Sequence, residues 1–324
     1  MQNPFHDQIR RRAAEYLSDS ATGTELKILT DTSDFFAVDY GTVILLNTKG
    51  YLVRQNAKEG RFGIDEQEKF WVKRAIDLET GQRKIIKLVF HERFTAHVGD
   101  IAFECFRSPH KEARILGLVG SHANFMHGYA AADEAGNTVR VIDFIYGKPL
   151  SAAIEELDCP HDIFFHQHFP AVLDSFLACI EAIRFLHDNG EKHGDIRRDH
   201  ILIDHESGIY RWIDFDFNYR HRENIYGYDL FGLGNILIYL VGQGDVLLSN
   251  LKVQDPKAFH HLNEEDLNIV FHHRVANLKK IYPYIPEKLN RILLYFSKGA
   301  GRFYDHTRQV LEDLNDYRAS PGSA

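Results

Sequence analysis

The sequence predicts an α+β protein of two lobes, the first built on strands and the second on helices. Short β-prone apolar runs separated by turn residues dominate the first half of the chain. From about Pro170 helical periodicity takes over, interrupted by one short hairpin. With 324 residues, 44% hydrophobic and 26% charged, the chain is long enough for one large domain or two lobes, each with its own core.

Phe5, Ile9, Ala13 and Leu17 recur at helical spacing and predict a first helix over residues 5–17. Strand-like runs follow at Leu26–Leu29, Phe35–Val38 and Val43–Leu46, and a turn at Asn47–Gly50 leads into Tyr51–Gln55. Lys69–Ile76 and Lys84–Phe90 form the next two runs of a meander, joined by a turn at Glu79–Gly81. Ser108-Pro109 opens a helix over 108–119, because proline suits the first turn, where no amide donor is needed. Val139–Ile145 is another strand, closed by Tyr146-Gly147. The hairpin pairs Ile201–Ile203 with Tyr210–Ile213 across a turn at Asp204–Gly208.

Composition removes several function classes. No apolar run approaches the length of a membrane span, and the opening Met1-Gln2-Asn3-Pro4-Phe5-His6 has no signal-peptide core. Cys105, Cys159 and Cys179 are odd in number and far apart, against a disulfide framework or zinc ribbon and in keeping with a reducing cytoplasm. The net charge of −8 argues against nucleic acid or anionic membrane as a general partner. Nineteen histidines include the close pairs His166/His168, His260/His261 and His272/His273, but none has a spacing specific for a metal.

The most informative stretch is His193-Gly194-Asp195-Ile196-Arg197-Arg198-Asp199-His200, followed at the far end of the hairpin by Trp212-Ile213-Asp214-Phe215-Asp216. A hairpin of this kind holds two carboxylates at one end of a rigid ribbon. One can orient a nucleophilic hydroxyl and the other can hold a metal ion that bridges phosphates, the two requirements of phosphoryl transfer.

Taken in order, these segments resemble the protein kinase superfamily over about residues 51–318. The resemblance implies a two-lobed protein-kinase-like fold. It divides the chain into an accessory helix and strand extension (1–50), an N-lobe (51–147), a C-lobe (148–318) and a disordered tail (319–324). It makes Asp195 the catalytic base, Asp214 the metal-binding acid and Arg197 the cation facing the γ-phosphate. Lys87, in Lys84-Ile85-Ile86-Lys87, would bind the α- and β-phosphates, with Glu112 as its helix partner. Gly60, Phe62 and Gly63 resemble an eroded glycine-rich loop with Lys58 in place of its first glycine, and Val141-Ile142-Asp143-Phe144-Ile145 resembles the hinge whose backbone would bind adenine, through Asp143 and Ile145. Asp229 resembles the aspartate that braces the catalytic loop. Taken singly, each of these residues also reads as an ordinary strand lysine, surface acid or helix cap; their order and spacing carry the resemblance.

Two departures shape the functional expectation. His200 stands where the family places asparagine, and imidazole is a poor ligand for the hard Mg²⁺ ion, so the second ion is lost, water-bound or Mn²⁺. Asp199 or Asp216 could supply oxygen in its place. The segment from Asp214 to Asp229 is too short for a long activation loop, and Gly194 replaces the arginine that would pair with a phosphate there. His193-Gly194-Asp195 and Asp214-x-Asp216 also resemble aminoglycoside phosphotransferases and choline kinases. The expectation is an ATP-dependent phosphotransferase using Mg²⁺ or Mn²⁺ and acting on a hydroxyl, protein Ser/Thr slightly ahead of a small molecule. The alternative is a nucleotide-binding pseudokinase or scaffold. The acceptor and the oligomeric state are left open.

Overall fold

The computed structural model describes residues 4–17, 26–61, 64–98, 101–220 and 224–320. The chain divides into two units, one of Met1–Glu92, Arg107–His122 and Met126–Ile145, the other of Arg93–Phe106, Ala123–Phe125 and Tyr146–Ala324.

Side-chain alternation sets the layering of the first unit. It begins with α1 (Pro4–Ala14), β1 (Ile28–Leu29), β2 (Val43–Leu46), β3 (Lys49–Arg61), β4 (Ile64–Asp77) and β5 (Arg83–Lys87). The chain next forms β6 (Arg93–Val98) and β7 (Ile101–Arg107), then α2 (Pro109–Val119), β8 (Gly128–Ala132) and β9 (Thr138–Asp143). A seven-stranded sheet runs β1-β2-β3-β4-β5-β9-β8, parallel only at β1-β2. Successive strand residues face opposite sides. Val43, Leu45 and Leu52 accordingly pack with Ile9 and Ala13 of α1 and Leu78, while Ile44, Leu46, Tyr51 and Val53 join Ala75, Ile86, Val139 and Val141 on the other face. Both faces of β2 are covered, which is why Val43–Leu46 is uniformly apolar. The N-terminal helix is thus a layer on this sheet, with Arg12 donating to the Leu78 carbonyl.

Phe35–Val38, expected as a strand, is instead a 3₁₀ turn over Phe35–Ala37. Asp34 caps it by accepting from the Phe36 amide at 3.0 Å. The fully buried Lys73 of β4 donates to the carbonyls of Phe35 (3.0 Å) and Val38 (2.5 Å) and to Asn56 (2.8 Å). An ammonium without water needs several acceptors at once, and a curled turn presents carbonyls together that a strand would point to alternate sides. Helix α2 forms as its cap predicts, with Ser108 accepting from the Lys111 amide and Pro109 in the first turn.

The second unit continues with β10 (Gly147–Pro149), α3 (Leu150–Glu155), α4 (His161–Ile163), a π-helical turn over Phe164–His168 and α5 (Phe169–Asp188). A 3₁₀ turn (Arg198–His200) leads into β11 (Ile201–Asp204), β12 (Tyr210–Trp212) and β13 (Phe217–Arg220). Helices α6 (Gly227–Val241), α7 (Leu248–Gln254), α8 (Pro256–His260), α9 (Glu287–Leu294) and α10 (Thr307–Arg318) complete it. The expected hairpin is β11-β12, with Ile201 opposite Trp212 and Ile203 opposite Tyr210, and β10 adds a third strand. It rests on α5, where Leu173, Phe176, Cys179, Ile180 and Ile183 are fully buried and the Trp212 indole donates to the Cys179 carbonyl at 3.0 Å. Directly after Asp214 the chain becomes β13 and extends the β6-β7 hairpin into a third sheet, with Phe94 edge-on to Phe217 and Phe103 edge-on to Tyr219. Among the described residues no helix is long and apolar enough to cross a membrane.

His161 joins α4 to the end of α6. Its Nε2–H donates to the Val241 carbonyl at 2.8 Å, its Nδ1 is 2.7 Å from the Tyr284 hydroxyl, and its ring stacks on Tyr282. Burial lowers its pKa, against the Val241 hydrogen bond and the Asp162 charge that raise it; His166 adds to the lowering. The unfolded chain therefore takes up this proton before the folded one does. The stability that depends on neutral His161 is present above the unfolded value near 6.5 and is lost as pH falls below it, by at most about 1.4 kcal/mol per pH unit for one proton. His161→Phe, which keeps the stack, is expected to flatten the denaturation midpoint between pH 7 and 5.5. An unchanged slope would assign the acid sensitivity to other groups.

Candidate functional site

In the first unit, Lys87 ends β5 and Glu112 lies in the first turn of α2. The lysine Nζ is 2.7 Å from Glu112 Oε1, with the two side chains 6% and 0% exposed. At that burial the pair holds the ammonium in one place. Arg140 of β9, unremarked in the sequence reading, reaches the second oxygen, Oε2, from its Nε at 3.2 Å. The signal for it was an arginine between Val139 and Val141, in the buried middle of a strand.

In the second unit, the loop bearing Asp195 is fixed from below. Asp229 of α6 is fully buried and accepts from the amides of His193 (2.8 Å, Oδ2) and Gly194 (2.9 Å, Oδ1) and from His187 Nε2 (3.1 Å). Burial pushes the Asp229 carboxyl up, but the His187 hydrogen bond, the positive potential of His187 and His193 and the Gly194 amide outweigh it and hold the group below the usual carboxylate range. The buried His193 ring lies edge-on to Trp212 and Phe215, and its Nδ1 accepts from the Asp195 amide at 3.3 Å. Gly194 has φ +88°, in the left-handed region where a larger residue is strained. The backbone that presents Asp195 is thus tied to the core at three successive residues.

The two acids meet on one imidazole. His200 Nδ1 donates to the Asp195 carbonyl at 2.8 Å and lies 3.5 Å from its carboxylate, while Nε2 faces Asp214 Oδ2 at 3.6 Å. Asp214 is left-handed (φ 68°), an uncommon conformation for a residue other than glycine and one found at functional positions. A carbonyl only accepts, so the Asp195 contact fixes the proton on Nδ1. Nε2 facing a carboxylate is favourable only with positive charge between them, either a bound cation or a proton on Nε2 itself.

Asp214 and His200, with donor atoms 3.6 Å apart, are the residues that would hold a divalent ion. Among the described residues no three His, Cys, Asp or Glu side chains form a metal-binding group, so phosphate oxygens and water would complete the shell. Asp216 is fully buried, and Asp199 accepts from Ser151 at 2.7 Å with Arg197 3.7 Å away.

The amides of Asp143 and Phe144 already donate to the carbonyls of His127 and Arg83, and the Asp143 carboxylate pairs with Lys84 at 2.6 Å. These groups are committed within the sheet, and Ile145 lies beyond the end of β9. Gly60 sits near the end of β3, and Phe62 and Gly63 lie outside the described residues.

No protein-family model matches the chain. Over 177 residues it is 27% identical to a 2-5A-dependent ribonuclease of Mus musculus, a match covering 52% of this chain and 23% of that protein. The chain therefore spans about a quarter of the length of the curated relative it matches. Among solved structures it is similar to the kinase domain of PknI from Mycobacterium tuberculosis, at 14% identity and TM-score 0.50 over 86% of this chain and 98% of that one. A point mutant of that domain gives 13% identity and TM-score 0.51 over 85% and 98%. With a seven-stranded sheet unit, a mainly helical unit and these structural neighbours, the chain has the α+β fold of a protein kinase domain.

Proposed function

We propose that the protein is an ATP-dependent phosphotransferase that moves the γ-phosphoryl group to a hydroxyl, with a protein serine or threonine favoured over a small-molecule alcohol. The observation that carries this reading is the placement of Asp195 and Asp214 on the two nitrogens of His200, on a loop clamped by Asp229. Lys87, held by Glu112, binds the α- and β-phosphates, and Arg197 faces the γ-phosphate. Asp195 orients the acceptor hydroxyl and takes its proton as the new O–P bond forms and the bond to the ADP oxygen breaks. Asp214 and His200 hold a divalent ion, Mg²⁺ or Mn²⁺, which neutralises phosphate charge. The test is transfer of label from γ-labelled ATP to protein or metabolite in an extract; no transfer with either ion sinks the catalytic reading.

One observation favours a second reading. A proton on His200 Nε2 would itself place positive charge against Asp214, giving a nucleotide-binding scaffold without turnover. Metal binding separates the two. Imidazole favours Mn²⁺ over Mg²⁺, whereas an amide oxygen suits Mg²⁺. His200→Asn is expected to narrow the Mn²⁺ preference about tenfold in calorimetric titrations with ATP present. An unchanged preference would mean that His200 does not hold the ion.

A further inference from the structure

Lys87 and Arg140 are direct cross-strand partners in the β5-β9 ladder, so their side chains share one face of the sheet. Two buried cations placed this way repel each other unless an anion stands between them. Glu112 of α2 is that anion, with Oε1 2.7 Å from Lys87 Nζ and Oε2 3.2 Å from Arg140 Nε. Arg140 is fully buried, and its Nη1 donates to the Thr138 carbonyl at 2.8 Å. Its Nη2 has no hydrogen-bond partner among the described residues. A buried guanidinium with an unsatisfied N–H beside a like charge is an expensive way to stabilise a fold, since apolar residues of similar size do as well. Its value lies in what it does to Glu112.

We propose that Arg140 is a positioning residue that keeps Glu112, and with it helix α2, on the sheet independently of Lys87, so that the lysine is not required to hold the helix when it meets the phosphates of the nucleotide. This rests on the phosphotransferase reading. A carboxylate shared between two cations neutralises neither in full. With Arg140 gone, Lys87 becomes the sole counter-ion of Glu112, and each phosphate contact then competes with that pair. With Lys87 gone, Arg140 still balances Glu112 and α2 stays seated. Either single change leaves one cation on one anion, so both variants fold.

The test combines calorimetric binding of ATP and of adenosine, with Mn²⁺ present, and hydrogen exchange of the α2 amides without nucleotide, on the full chain and its Arg140→Met, Arg140→Lys and Lys87→Met variants. Arg140→Met is expected to weaken ATP about tenfold while adenosine binding changes less than about twofold, because only the phosphates meet Lys87. Arg140→Lys, which restores a cation at Glu112, is expected to recover ATP affinity to within about threefold of wild type. Lys87→Met is expected to leave α2 exchange as in wild type. ATP affinity unchanged in Arg140→Met, or equal losses for ATP and adenosine, would reduce Arg140 to a packing residue and overturn the proposal. Faster α2 exchange in Lys87→Met would overturn it too, by showing that the lysine holds the helix. Failure of wild type to bind ATP would sink the phosphotransferase reading, and the exchange comparison would still decide whether Arg140 holds α2.

Discussion

Asp195→Ala is expected to reduce phosphoryl transfer by about three orders of magnitude while leaving ATP binding within about threefold of wild type. The loss is large because the carboxylate both aligns the acceptor hydroxyl and receives its proton. Binding is spared because the substitution leaves the loop in place: the Asp229 bonds reach the amides of His193 and Gly194, and the His193 contact reaches the amide of residue 195. The His200 ring also keeps its hydrogen bond, which goes to the carbonyl at position 195. Single-turnover transfer and equilibrium ATP titration on the same preparations check both halves. Equal labelling of acceptors by wild type and variant would remove Asp195 from the chemistry.

The largest effect on stability is expected at Asp229. Its carboxylate satisfies two buried amides and the His187 imidazole from one point in the core. Alanine would leave all three facing a dry cavity, at a cost of about 3–5 kcal/mol. Asparagine should recover part of that, since its single oxygen can accept from one amide while its NH₂ confronts the other. The acid limb of the stability curve should change as well. A carboxyl held below its unfolded value stabilises the fold above that value and loses this contribution as pH falls through the folded one. Wild type should lose stability through this limb, and Asp229→Asn should lose less of its own. Denaturant titrations from pH 3 to 7 check this; an alanine variant within about 1 kcal/mol of wild type would mean that the loop does not depend on this brace.

Local pattern made much of the fold legible. The apolar run of β2, the Ser108-Pro109 start of α2 and the turn before β12 each follow from the conformational preference of a few adjacent residues. The unread parts depend on distant partners. Nothing near Phe35 announces that Lys73, 38 residues on, will collect its carbonyl. The β6-β7 hairpin and β13 are about 120 residues apart in sequence and become one sheet only through tertiary pairing. At the candidate site, motif order picked out Lys87, Glu112, Asp195, Asp214 and Asp229. It missed Arg140, whose role is set by its register opposite Lys87. His200 stood out in the sequence as a substitution, and only its position on both acids shows why an imidazole there matters.

Asp214 and His200 are expected to share one divalent ion with the phosphates of a bound nucleotide. A crystal structure with a non-hydrolysable ATP analogue and Mn²⁺ decides this. The expected result is a manganese anomalous peak bounded by Asp214, His200 and phosphate oxygens of the analogue. Manganese on groups that exclude Asp214, or nucleotide bound away from it, would contradict the phosphotransferase reading.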